Sequence, residues 1–274
     1  MKTKTYGCRA SAAMSHLAGS RYGGNTSCMT VESKGVSIII DAGSGLMLLE
    51  KEMRESKVNT TEKPKHNILI SHLHLDHIVG FGTFGPAWAK DSDMRIFTCS
   101  RDERPLKEQV FGVFRPPYWP GSLVNISKAE CVPIEHRVPF KIEHFTVIPF
   151  SANHPDQTLS FYLSDGEKSF VHLLDNEVVN MPDEKYKELL ELCSGADLVV
   201  FDSAYAEEDY PRMMGWGHST VKQGVKMAHE CKPKRMMFSH FGQQYSDDEI
   251  DSWARHFEGE TEFMLGKDGA ELVL

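Results

Sequence analysis

The 274-residue chain has no hydrophobic run long enough to cross a membrane, and its opening, Met1-Lys2-Thr3-Lys4-Thr5-Tyr6, has no apolar core of the kind a secretory signal carries. A cytoplasmic setting is the expectation. It also lacks any C-x-x-C pair: Cys8, Cys28, Cys99, Cys131, Cys193 and Cys231 lie far apart and read as reduced thiols rather than a disulfide framework. Positive charge is not in excess, with 30 Lys and Arg against 39 Asp and Glu and a formal charge of −9. That balance argues against broad, non-specific attraction to nucleic acid, although bound dications would reverse the field locally. There is no G-x-S-x-G elbow and no P-loop, so neither an activated serine nor a phosphate-cradling loop is at hand. Gly80-Phe81-Gly82-Thr83-Phe84-Gly85 fits G-x-G-x-x-G but does not follow a strand, which sets dinucleotide binding aside.

What is present is an ordinary globular composition, 41% hydrophobic and 25% charged. Short β-rich apolar runs recur at 36–40, 68–70, 94–99, 145–150, 159–163, 170–174, 198–201 and 235–238. Helical spacing appears at 183–193, 218–231 and 246–257, the last opening on the capping box Ser246-Asp247-Asp248-Glu249. Strands interleaved with helices imply an α/β protein with sheets covered by helices. No linker or repeat forces a boundary, so residues 1–274 read as one domain. The segment 112–122 breaks the rhythm, because Pro116, Pro117 and Pro120 exclude regular helix or a central strand. Tyr118 and Trp119 within it suit either an ordinary surface loop or a substrate-stacking cover.

The most informative string is His72-Leu73-His74-Leu75-Asp76-His77, directly after Ile68-Leu69-Ile70. His72 and His74 alternate on an extended segment and point the same way, while Asp76 and His77 begin the next turn. One short peptide can therefore serve two adjacent metal ions. The string resembles the H-x-H-x-D-H signature of the metallo-β-lactamase superfamily. Around it, Gly7-Cys8-Arg9-Ala10-Ser11, Tyr22 to Cys28, Ile38 to Gly43, Trp216-Gly217-His218-Ser219-Thr220 and Phe238-Ser239-His240-Phe241 are similar to that superfamily's phosphodiesterase and tRNA 3′-processing branch.

The resemblance implies a four-layer αββα sandwich and a pair of divalent ions, Zn2+ ahead of Mn2+. It places His72, His74 and His154 on one ion, Asp76, His77 and His240 on the other, and Asp175 between them. Asp202 also ends an apolar run and competes for the bridging role. Asp41 resembles the buried strand-end carboxylate that orients a ligand histidine, and His172 reads as structural. A hydroxide bridging the ions would be the nucleophile.

His218 would assist the leaving oxygen, Asp202 would orient His218, and Ser219 or Thr220 would cap a helix whose N-terminus favours a phosphate. Asp76, His218 and Asp202 are thus the expected catalytic set, with His218, Ser219, Thr220, Tyr118 and Trp119 facing substrate. No long basic arm is visible. With the acidic charge, this favours a small cyclic or nucleotide phosphodiester over the alternatives, a tRNA or RNA 3′ endonuclease or a thioester or lactam hydrolase. Homodimerisation is implied by the resemblance alone.

Overall fold

The computed structural model describes residues 1–17, 19–56 and 64–274. Its first sheet contains β1 (Lys2–Gly7), β2 (Cys28–Ser33), β3 (Val36–Ile40), β4 (Lys65–Leu69), β5 (Asp93–Thr98), β6 (Glu130–Pro133) and the final strand β14 (Glu271–Val273). Its second contains β7 (Phe140–Ile142), β8 (Phe145–Ser151), β9 (Leu159–Ser164), β10 (Ser169–Leu173), β11 (Leu198–Asp202), β12 (Arg235–Ser239) and β13 (Glu262–Leu265). The orders are β14-β1-β2-β3-β4-β5-β6 and β13-β12-β11-β10-β9-β8-β7. Both sheets are mixed in the same way. One side is antiparallel, and the strands from β3 to β6 and from β10 to β13 run parallel.

The parallel strands are apolar on both faces because both faces are covered. In β3, Ile38 and Ile40 point between the sheets while Ile39 meets the outer layer. In β10 and β11, Phe170, Leu198 and Val200 face inward, and Val171, Leu173, Val199 and Phe201 pack outward. Helix Gly45–Glu55 covers the first sheet through Leu46 and Leu49, and helices Asp183–Cys193 and Val221–Cys231 cover the second. Full burial of each such side chain contributes roughly 1.5–3 kcal/mol. Three apolar seams between four layers make the αββα sandwich. No helix of the described residues is long and apolar enough to cross a membrane.

Two helices differ from the sequence expectation. The one expected from 218 begins at Val221, because His218 and Ser219 turn inward to other partners. The one expected over 246–257 keeps its Ser246–Glu249 capping box, but its α-helical part ends at Ser252 and a 3-10 turn, Trp253–His256, follows.

Segment 112–122 is irregular, as its prolines require. Trp119 is half-buried against Phe114, with ring centroids 5.6 Å apart, and a Cβ on Gly82 would meet its ring at 2.5 Å. Only Tyr118 of the expected stacking pair stands free, at 80% exposure. Gly80 likewise serves close packing, since a Cβ there would lie 2.3 Å from the Gly43 carbonyl oxygen.

Candidate metal centre

The carboxyl ends of parallel strands are where an open α/β sheet presents its loops, and here two sheets present them to one another. Asp41 follows β3, His72 to His77 follow β4, Asp175 follows β10, Asp202 ends β11 and His240 follows β12. His154 comes from the turn between β8 and β9. Asp41, Asp175 and His240 leave their strands with φ of 60°, 52° and 67°. Left-handed backbone at a non-glycine residue costs on the order of 1–3 kcal/mol, and here it turns each side chain back over the strand ends.

Asp175 stands at the centre. Its carboxylate lies 3.1 Å from His77 Nε2, 3.6 Å from His240 Nε2, and 3.8 Å from both His72 Nε2 and His154 Nε2. Asp76 Oδ2 is 3.4 Å from His77 Nε2 and 3.5 Å from His240 Nε2, and accepts a 2.8 Å hydrogen bond from the Ser11 backbone N–H. His74 is half exposed, with Nε2 3.4 Å from Asp156. Donor atoms of His72, His74 and His154 come within 4.8 Å of one another, as do those of Asp76, His77 and His240. All seven residues expected as ligands are thus brought together in two adjoining groups.

The donor chemistry fits divalent ions. The buried Nε2 atoms of His72, His77 and His240 and Oδ2 of Asp175 have no hydrogen-bond partner. The opposite ring nitrogens are engaged. His77 Nδ1 is 2.7 Å from Asp41, His240 Nδ1 3.2 Å from Asp202, His72 Nδ1 3.1 Å from Ser71 Oγ, and His154 Nδ1 3.0 Å from Thr158 Oγ1. Histidines that bind metals are held in this manner, one nitrogen anchored and the other left free. Burial depresses the pKa of His72, and that of His154 to about 4, keeping both neutral. Burial acts the same way on His77 and His240, but the surrounding carboxylates outweigh it. Asp175, Asp41 and Asp76 push His77 well above its usual value, and Asp175, Asp202 and Asp76 push His240 to about 10. This cluster calls for positive charge at its centre.

Asp41 also accepts from the Ser71 N–H and Oγ and from Ser27 Oγ. Asp41→Asn keeps the shape and the tolerance for left-handed backbone but removes the charge behind His77. It is expected to weaken one metal equivalent about 10–100-fold and spare the other, as read by chelator titration with elemental analysis. Unchanged affinity for both would assign the orientation of His77 to Ser71 alone.

Asp202 is buried and multiply bonded. Its Oδ2 is 2.9 Å from His218 Nδ1 and accepts from the Asp175 N–H at 2.8 Å, and its Oδ1 accepts from the Ala204 and Ser219 N–H groups. Burial works against its ionisation, yet His218 and His240 hold its pKa near 2. Burial likewise works against the charged form of His218, but Asp202 raises its pKa above the usual histidine value. Tyr205 meets the His218 ring edge-on at 5.5 Å.

Ser219 and Thr220, expected to face substrate, are turned into the protein. Both are buried. Ser219 Oγ donates to the Asn176 carbonyl and accepts from the Val178 N–H. Thr220 Oγ1 caps the helix through Gln223 and donates to Glu207. The protein's own carboxylate therefore sits at the helix end where a phosphate was expected. Arg9 is wholly buried and bonded to Gly23, Tyr245 and Asp247, a framework role that the N-terminal motif did not disclose.

Residues 37–241 match a family model described as the beta-lactamase superfamily domain. Ribonuclease Z of Brevibacillus brevis (strain 47 / JCM 6285 / NBRC 100599) is 35% identical over 267 residues, which cover 78% of each chain. Ribonuclease Z of Azobacteroides pseudotrichonymphae genomovar. CFP2 is 26% identical over 251 residues, covering 81% of this chain and 83% of that protein. Among solved structures, the metallo-beta-lactamase fold protein YhfI from Bacillus subtilis superposes with a TM-score of 0.72 at 18% identity, covering 99% of both chains, which is a likeness of fold.

Proposed function

From the premise that the chain belongs to the beta-lactamase superfamily, in its ribonuclease Z-like branch, and is therefore a metal-dependent hydrolase, we propose that it cleaves a phosphodiester bond in the 3′ region of an RNA. His72, His74 and His154 would hold one divalent ion, Asp76, His77 and His240 a second, and Asp175 both. Zinc is preferred to manganese for so imidazole-rich a set. Such ions supply activated water and neutralise phosphate charge.

The observation that carries the reading is His218, held 2.9 Å from Asp202 and 3.9 Å from Asp175 at the edge of the ligand cluster. Against burial, Asp202 raises the His218 pKa above the usual histidine value and so favours the imidazolium, whose proton would go to a departing ribose oxygen. Asp202 stays ionised and holds the ring in place. The relatives named ribonuclease Z weigh toward RNA over the small ester that charge and the missing arm had favoured. The formal charge of −9 keeps a small phosphodiester as the second reading.

The deciding experiment offers the metal-loaded protein precursor tRNA with a 3′ trailer, cyclic mononucleotides and cyclic dinucleotides. Specific cleavage of the precursor is expected, with kcat/KM falling steeply as salt is raised. Turnover confined to the small esters would install the second reading. Turnover of a thioester or lactam with no phosphodiester hydrolysed would remove both.

A further inference from the structure

Glu177 lies two residues beyond Asp175 and is buried, yet it belongs to neither candidate ligand group. Its carboxylate gathers donors from one short stretch of chain. The Gly215 N–H approaches both oxygens at 2.9 Å, the Gly217 N–H approaches Oε2 at 3.0 Å, and Tyr210 Oη donates to Oε1 at 2.8 Å. Asn180 Nδ2 is a fourth donor, at 2.9 Å. The backbone of Glu177 is tied elsewhere: its N–H donates to the Asn153 carbonyl at 2.9 Å, and its carbonyl accepts from Asn153 Nδ2 at 2.7 Å. One residue therefore joins three segments, each bearing a member of the site: Asn153 before His154, Asp175 itself, and the strap 215–217 before His218.

The strap is closely packed at Gly217. Gly215 and Gly217 have φ of 88° and 90°, and a Cβ on Gly217 would lie 2.2 Å from His154 Cδ2. The strap backbone thus presses on the His154 ring on one side of Gly217 and sets the start of His218 on the other.

We infer that Glu177 is a positioning residue for His218, its carboxylate fixing the 215–217 strap so that the imidazole meets Asp202 and the reacting phosphate in one orientation. In Glu177→Gln a single acceptor oxygen and an amide N–H2 face the same donors, so the strap loosens while the size of the side chain is kept.

The kinetic test rests on the phosphodiester reading and uses the metal-loaded full chain. Glu177→Gln is expected to keep wild-type metal content and KM. It should lower kcat about 10- to 100-fold on an ester with a poor alkoxide leaving group, and far less on bis(p-nitrophenyl) phosphate. Added to His218→Ala it should cost little more, because both act through one group. An additive loss, or an equal loss on both esters, would reduce Glu177 to general support of the fold and overturn the inference. Should Glu177→Gln not fold, Tyr210→Phe removes one donor and should show the same pattern more weakly. If the wild-type protein hydrolyses no phosphodiester, the functional reading fails and crystal structures still decide positioning. A strap displaced in Glu177→Gln upholds the inference, and an unmoved strap and His218 ring overturn it.

Discussion

Replacing Asp175 with alanine is expected to empty both metal positions together and to abolish hydrolysis to below about one part in 10³ of wild type. The carboxylate lies within 3.1–3.8 Å of four imidazole nitrogens drawn from both ligand groups. Without it the nitrogens of His72 and His154 lose the carboxylate between them, and those of His77 and His240 keep only Asp76. Alanine also fits poorly at a φ of 52°, so part of its effect would be backbone strain. Asp175→Asn separates the two causes, since asparagine tolerates the left-handed region and keeps the size of the side chain while removing its charge. Elemental analysis should find both equivalents reduced in each variant. Normal content at both positions in Asp175→Asn would take the bridge away from Asp175.

His218→Ala should leave metal content unchanged, because its Nδ1 is given to Asp202 and the seven proposed ligands do not include it. Turnover of a substrate with a poor alkoxide leaving group should fall roughly 10²–10⁴-fold, the scale of losing a general acid. Bis(p-nitrophenyl) phosphate, whose phenolate departs without a proton, should be affected far less. Equal losses on both would mean that His218 binds phosphate rather than donating a proton, and metal loss would place it among the ligands. Asp202→Asn should act on more than the His218 ring. Asp202 also contacts His240 Nδ1 and the Asp175 N–H, so its loss should reach metal affinity as well.

The site was legible where chemistry is concentrated in few residues. Four donors within His72 to His77 form a dense local signal, Asp175 and Asp202 each close an apolar run, and His240 and His154 follow shortly after one. Strands buried on both faces were legible too: β3 and β11 are almost wholly apolar, and β10 carries Phe170, Val171 and Leu173. The strand β1, Lys-Thr-Lys-Thr-Tyr-Gly, was not. Its buried positions include Thr3 and Thr5, whose polarity hides an interior strand lying between β14 and β2. Glu177 was invisible for another reason. A glutamate after Asp-Asn is unremarkable until the fold brings Gly215 and Gly217, some forty residues on, to its carboxylate. The burial of Ser219 and Thr220 likewise depends on Asn176 and Glu207, which no local pattern links to them.

Neither sheet owns the metal centre. The first contributes Asp41 and the His72–His77 loop, and the second contributes the loops of His154, Asp175, Asp202 and His240. Ions seated there would be rivets through the sandwich, and their binding free energy would count as cohesion between its two leaves. Mass action then makes the grip of one sheet on the other depend on free metal, by RT ln(1 + [M]/Kd). Substitutions in the apolar seam far from any ligand, such as at Phe161 or Phe170, would register as weakened metal affinity, and chelation would register as a looser seam.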